Sequence, residues 1–86
     1  MTHFIAVSVD LEAQAGYVRY HALPAGERAR SKRISEDVVA DYRENGELLG
    51  LELLALDGAA MDQARTFAAS RNLAFPRDLS GEVAPS

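Results

Sequence analysis

Three charged side chains, Arg19, Asp41 and Glu52, stand in the middle of stretches that otherwise favour strands, and Tyr17 lies two residues before the first of them. An acid–base reading makes Asp41 and Glu52 a carboxylate pair, one accepting a proton and the other donating one. The same two groups would suit a hard divalent cation, which prefers oxygen ligands. A structural reading makes them cross-strand partners of Arg19, or simply the wet side of a sheet. No second signature supports the chemical reading. The chain has no cysteine, and its two histidines, His3 and His21, have no partner at ligand spacing. It also lacks an activated nucleophile and a phosphate-cradling glycine loop. Sequence therefore assigns no catalytic, cofactor-binding or metal-binding residue. Arg19, Asp41, Glu52 and Tyr17 form a candidate polar cluster for which the structural role is preferred.

A second group of charges is the run Arg28, Arg30, Lys32 and Arg33, which follows Pro24-Ala25-Gly26 and precedes Glu36-Asp37. In an extended chain Arg28, Arg30 and Lys32 line one side, which offers a contact for an anion or phosphate. The plainer reading is an edge strand kept from pairing with other chains by its lysine and arginines. The net charge of −4 favours the plainer one, because general nucleic-acid binding needs a surplus of basic groups on one surface.

These groups must be held by the elements around them. Val38 to Leu54 reads as two strands joined by a turn at Asn45-Gly46, the dipeptide that most readily takes positive φ. Alternation places Leu49, Leu51 and Leu53 on one face and Gly50, Glu52 and Leu54 on the other. Asp41 shares a side with Val39. If the strands are neighbours, Asp41, Glu52 and Tyr17 meet on the face away from the leucines. Phe4 to Asp10 reads as a first strand and Ala15 to Leu23 as a second, with Val18 and Tyr20 sharing a face. Asp57 is a candidate helix N-cap, Met61, Ala64, Phe67 and Ala68 recur at helical spacing, and Asn72 ends the helix.

The expected fold class is therefore α+β. It is a small antiparallel sheet of about four strands, meander-like, with one C-terminal helix packed on one face. Residues 1–73 form a single domain, and 74–86 form a tail expected to be partly mobile. With 86 residues and 48 % hydrophobic content the chain suits one small core. The absence of cysteine agrees with a reducing compartment, and no stretch reaches the roughly 18 apolar residues of a membrane span. A cytoplasmic protein is expected, with no cofactor. Open apolar groups on the uncovered face, Tyr17, Val39, Leu54 and Phe4 or Ala6, point to a homodimer or a small protein partner rather than to membrane or nucleic acid.

The segments Val9-Asp10-x-Glu12-Ala13-x-Ala15-x-Tyr17-Val18-Arg19, Val38-Val39-Ala40-Asp41-Tyr42, Asn45-Gly46 and Gly50-Leu51-Glu52-Leu53-Leu54 occur in an order and spacing that resembles the small bacterial domain of unknown function numbered 2283. The resemblance covers residues 7 to 57. It implies an antiparallel sheet with a helix, no established activity, and a partner-binding, antitoxin-like role. Gly16 stands where that family usually has leucine, a loss of a core side chain that should cost stability unless a neighbour such as Phe4 or Phe67 fills the gap. The leading expectation is a non-catalytic protein-interaction module. The alternative is a small enzyme or divalent-cation-binding protein using Asp41 and Glu52.

Overall fold

The computed structural model describes residues 1–77 and 79. Its strands are β1 (Ala6–Asp10), β2 (Ala15–Arg19), β3 (Arg30–Ser35), β4 (Val38–Tyr42) and β5 (Leu48–Leu53), followed by the helix α1 (Gly58–Ser70). They form one antiparallel sheet of five strands in the order β1-β2-β5-β4-β3. The α+β expectation holds, with two corrections. The basic run, read as an edge strand, is one from Arg30 to Ser35, and the sheet has five strands instead of about four. The order is also not a simple meander. β3, β4 and β5 follow one another by hairpins, and the long connection after β2 carries the chain to the far edge, so that β2 lies beside β5. That is a Greek-key pattern, and it is what brings β2 next to the strand that carries Glu52.

Each reversal has a local cause. Between β4 and β5, Gly46 has φ +90 and its N–H donates to the carbonyl of Arg43 (2.9 Å), while the Asn45 side chain accepts from the backbone N–H of Glu47 (2.9 Å). Asn45 thus acts through its amide oxygen, and Gly46 alone takes the left-handed conformation that a Cβ would disfavour. The register slips between Asp41 and Tyr42, so that Gly50 faces Asp41 and Leu48 faces Tyr42. This bulge leaves Leu49 outside the β4–β5 ladder, and its carbonyl instead accepts from the N–H groups of Tyr20 (2.7 Å) and His21 (3.2 Å).

One face of the sheet carries the core. Val18, Val38, Ala40, Leu51 and Leu53 are fully buried and Leu49 nearly so, as their alternation requires. The helix lies on this face over β4 and β5. Asp57 caps it, accepting from the N–H of Ala60 (2.9 Å), and Asn72, at φ +58, ends it. The buried stripe of α1 is Ala60, Ala64 and Ala68, with Met61 and Phe67 packed at its flanks. Ala64 and Ala68 of the expected stripe are thus buried, Met61 and Phe67 lie beside them, and Ala60 is an addition to it. Alanines at the line of contact let the helix axis approach the strands closely, which suits a core this small.

Past the helix, Leu73, Pro76 and Leu79 are buried, and the Tyr20 hydroxyl donates to the carbonyl of Ala74 (2.7 Å). Burial pushes the Tyr20 phenol up to about 12. The space beside Gly16 is closed by Leu79 and Leu56, whose methyl carbons are the atoms nearest to where a Cβ would lie. Neighbours do fill the gap, but they are these two leucines and not Phe4 or Phe67. The expected tail of residues 74–86 falls outside the described residues at Asp78 and from Ser80 onward.

Candidate functional site

The uncovered face of the sheet is built by the side chains that alternate against the core. Register aligns Ser8, Tyr17, Glu52, Val39 and Arg33 in one row across the strands, and Ala6, Arg19, Gly50, Asp41 and Ser31 in the next. All four residues of the expected polar cluster therefore share this face. Three of them are brought into contact.

Tyr17 is the organising side chain. It leaves β2, crosses β5 above Gly50 and donates its hydroxyl to Asp41 Oδ2 on β4 (3.1 Å). Gly50 is what permits this: a Cβ there would lie 2.5 Å from the tyrosine ring and hydroxyl. The other oxygen of Asp41 accepts from the Ser31 hydroxyl (2.6 Å) on the edge strand β3. The Arg19 guanidinium sits 5.2 Å from the Tyr17 ring centroid, a cation–π arrangement, and donates to the carbonyl of His21 (3.3 Å). Arg19 belongs to none of the ion pairs among the described residues, so the cross-strand salt bridge to a carboxylate is replaced by stacking on the ring.

Partial burial raises the Tyr17 phenol well above the usual tyrosine range, reinforced by the negative charge and the hydrogen bond of Asp41. A phenol so held stays neutral and remains a donor. Asp41 in turn has both oxygens occupied by hydroxyls. Glu52 stands opposite Tyr17 and Val39 in the register and forms no hydrogen bond among the described residues. Together with Ser8, Asp10 and Tyr17 it lines an open hollow of about 230 Å³. Among the described residues no three His, Asp or Glu side chains come together in a way that would hold a metal ion.

The basic run divides between the faces. Arg30 pairs with Tyr42 and Lys32 with Ala40, which places Lys32 on the core side of the sheet beyond the helix, whereas Arg33 pairs with Val39 on the open side. Arg33 donates to the carbonyls of Ser35 (3.5 Å) and Glu36 (2.5 Å) and so ties down the β3–β4 turn. Arg28 precedes the strand and is exposed, as are Arg30, Lys32 and Arg33. β3 is an edge strand: it pairs with β4 on one side only.

Sequence reasoning missed two features. Ser31 and Gly50 complete the Tyr17–Asp41 contact, and neither residue type announces it. At one end of the sheet Arg43 bridges Glu27 and Glu47 (both 3.1 Å), and the backbone N–H of Glu44 donates to Glu27 (3.1 Å). The hydrogen bond from Arg43 is the main cause that holds the Glu27 carboxyl below its usual range. His21 joins this group through Leu48 O (2.8 Å) and Glu47 (3.5 Å). A carbonyl only accepts, so His21 Nδ1 carries the proton in that contact.

No helix of the described residues is long and apolar enough to cross a membrane. Comparison with curated proteins and with solved structures gives no match. A family model matches residues 6–56, which takes in all five strands of the sheet together with Tyr17, Arg19, Asp41 and Glu52. By that match the chain belongs to the family described as protein of unknown function, DUF2283.

Proposed function

We propose that this chain is a non-catalytic protein-interaction module, acting in the cytoplasm as a homodimer or bound to a small protein partner. One observation carries the reading. Among the described residues the sheet is covered by a helix on one side only, Leu54 is exposed just past β5, Val39 on the open face is half-buried, and both β1 and β3 are edges that pair on one side alone. Uncovered sheet and unpaired strand edges are the features that a second chain completes. On the open face Tyr17 and Ser31 both donate to Asp41, which favours a structural role for that carboxylate. An antitoxin-like role within such a partnership rests on the family resemblance alone.

The competing reading, a small enzyme or divalent-cation-binding protein using Asp41 and Glu52, draws on the hollow that Glu52 lines. Calorimetric titration with divalent cations separates the two, since binding heat lost in Asp41→Asn and Glu52→Gln would favour the competitor. For the module, size-exclusion chromatography of native extract and analytical ultracentrifugation of the purified chain are the direct tests. A species larger than the 9.3 kDa monomer is expected. A strict monomer at high concentration with no co-eluting protein would defeat the proposal.

A further inference from the structure

We infer that the free edge of β3, together with the groove beside it, takes an extended acidic segment of another protein as an added strand. The inference rests on the interaction-module reading and names its surface and the chemistry of its partner. Alternate backbone N–H and C=O groups of Arg30–Ser35 point away from β4, and this row is what an incoming strand would bond. α1 sits over β4 and β5 and reaches β3 at Ser35, whose hydroxyl donates to the side-chain oxygen of Gln63 (2.5 Å). There an open groove of about 480 Å³ runs between the strand and the helix, lined by Ile34 and Ser35 on one wall and by Gln63, Thr66, Phe67 and Ser70 on the other.

The charges select the partner. Arg28, Arg30 and Lys32 have no hydrogen-bond or ion-pair partner for their side chains among the described residues. The whole run is four of the chain's nine basic residues, gathered at one edge of a protein whose net charge is −4. An acidic strand is thus drawn to this edge and repelled by much of the remaining surface. Asp62 also lines the groove, and its carboxylate is paired with Arg65 at 3.1 Å. Since Arg30 and Lys32 lie toward one end of β3 and Ile34 toward the other, the fitting segment carries carboxylates at one end. Its other end carries a large apolar side chain, which enters the groove against Ile34 and Phe67. Segments of this kind bind by main-chain bonds for affinity and by alternate side chains for specificity.

Fluorescence anisotropy with the full chain tests this, using a labelled synthetic peptide of alternating glutamate and valine that ends in leucine. Saturable binding is expected, weakening with added salt. The double variant Arg30→Glu/Lys32→Glu, checked for native circular dichroism, should weaken it by about tenfold or more, as should Thr66→Trp, which fills the groove from an exposed position. Methylating alternate amides of the peptide should abolish binding, because the added strand loses its donors. No binding, or equal binding of the methylated peptide, overturns strand addition. Preference for a single-stranded oligonucleotide overturns the acidic-peptide assignment. Self-association that the double variant removes and the peptide does not compete for assigns the edge to a second copy and likewise overturns it. If the double variant still forms the native complex in extract while the peptide fails, the module reading survives and this surface alone is refuted.

Discussion

The two faces of this sheet hold the same strands in register by opposite means. On the helix side, Val18, Val38, Leu51 and Leu53 are withdrawn from water completely and meet the alanines of α1, so cohesion comes from apolar area and close approach. On the other side no element of the described residues lies over the sheet, and one long side chain spans three strands. Tyr17 crosses Gly50 to reach Asp41, which Ser31 holds from the far side, while Arg19 covers the ring. The first face tolerates little change of volume anywhere. The second depends on one crossing, and is otherwise free to differ.

The largest expected effect therefore lies on the covered face. Leu51→Ala should cost about 2–5 kcal/mol, read as a fall in the urea midpoint, because the residue is wholly buried and the cavity has rigid walls. A loss under about 1 kcal/mol would show that this face is packed more loosely than its burial says.

Next in size is Gly50→Ala, which sharpens the comparison most. The added methyl collides with Tyr17, so the ring must move and its bond to Asp41 is lost, at about 1–3 kcal/mol. In a Tyr17→Ala background the same change should cost much less. Additive losses in the double-mutant cycle would mean that the crossing does not exist in solution.

Smaller again is Tyr17→Phe, which keeps the ring over Gly50 and removes only the donor. About 0.5–1.5 kcal/mol is expected from denaturant unfolding at neutral pH. The phenol's pKa is raised in the fold, so the neutral form is the one the fold favours. Its contribution is complete below the ordinary tyrosine value of about 10 and is lost as pH rises above it, so wild type should lose stability in alkali more steeply than Tyr17→Phe.

The mildest effect lies at the end of the sheet, away from both faces. Glu27 is held below its usual range by Arg43. The unfolded chain then takes up the proton more readily, and the stabilisation present above the ordinary glutamate pKa of about 4.3 is lost as pH falls below it. Glu27→Gln should flatten the acid limb of the stability profile. An unchanged limb would place the Arg43 contacts among the exposed pairs that contribute little.

Much of the covered face was legible because strand alternation has a period of two and a helix one near four. Leu49, Leu51 and Leu53, the Asp57 cap and the Asn72 terminus follow from local rules. The same alternation put Tyr17, Asp41 and Glu52 on one side. It did not show that Tyr17 reaches Asp41, since that contact joins β2 to β4 across a strand that lies far away in sequence. The run Arg30-Ser31-Lys32-Arg33 was legible as an edge strand from its charges, but with little apolar patterning its register was not, and pairing with β4 sets it.

What the sequence determined by itself, then, is which residues face inward and where the chain turns, because those choices depend on neighbours a few positions apart. The tertiary structure decided the strand order, the Leu79 and Leu56 filling beside Gly16, and the Tyr17 bridge over Gly50. Each of these depends on which distant segments become adjacent. That adjacency follows from burying the whole apolar surface at once, a condition no local window contains.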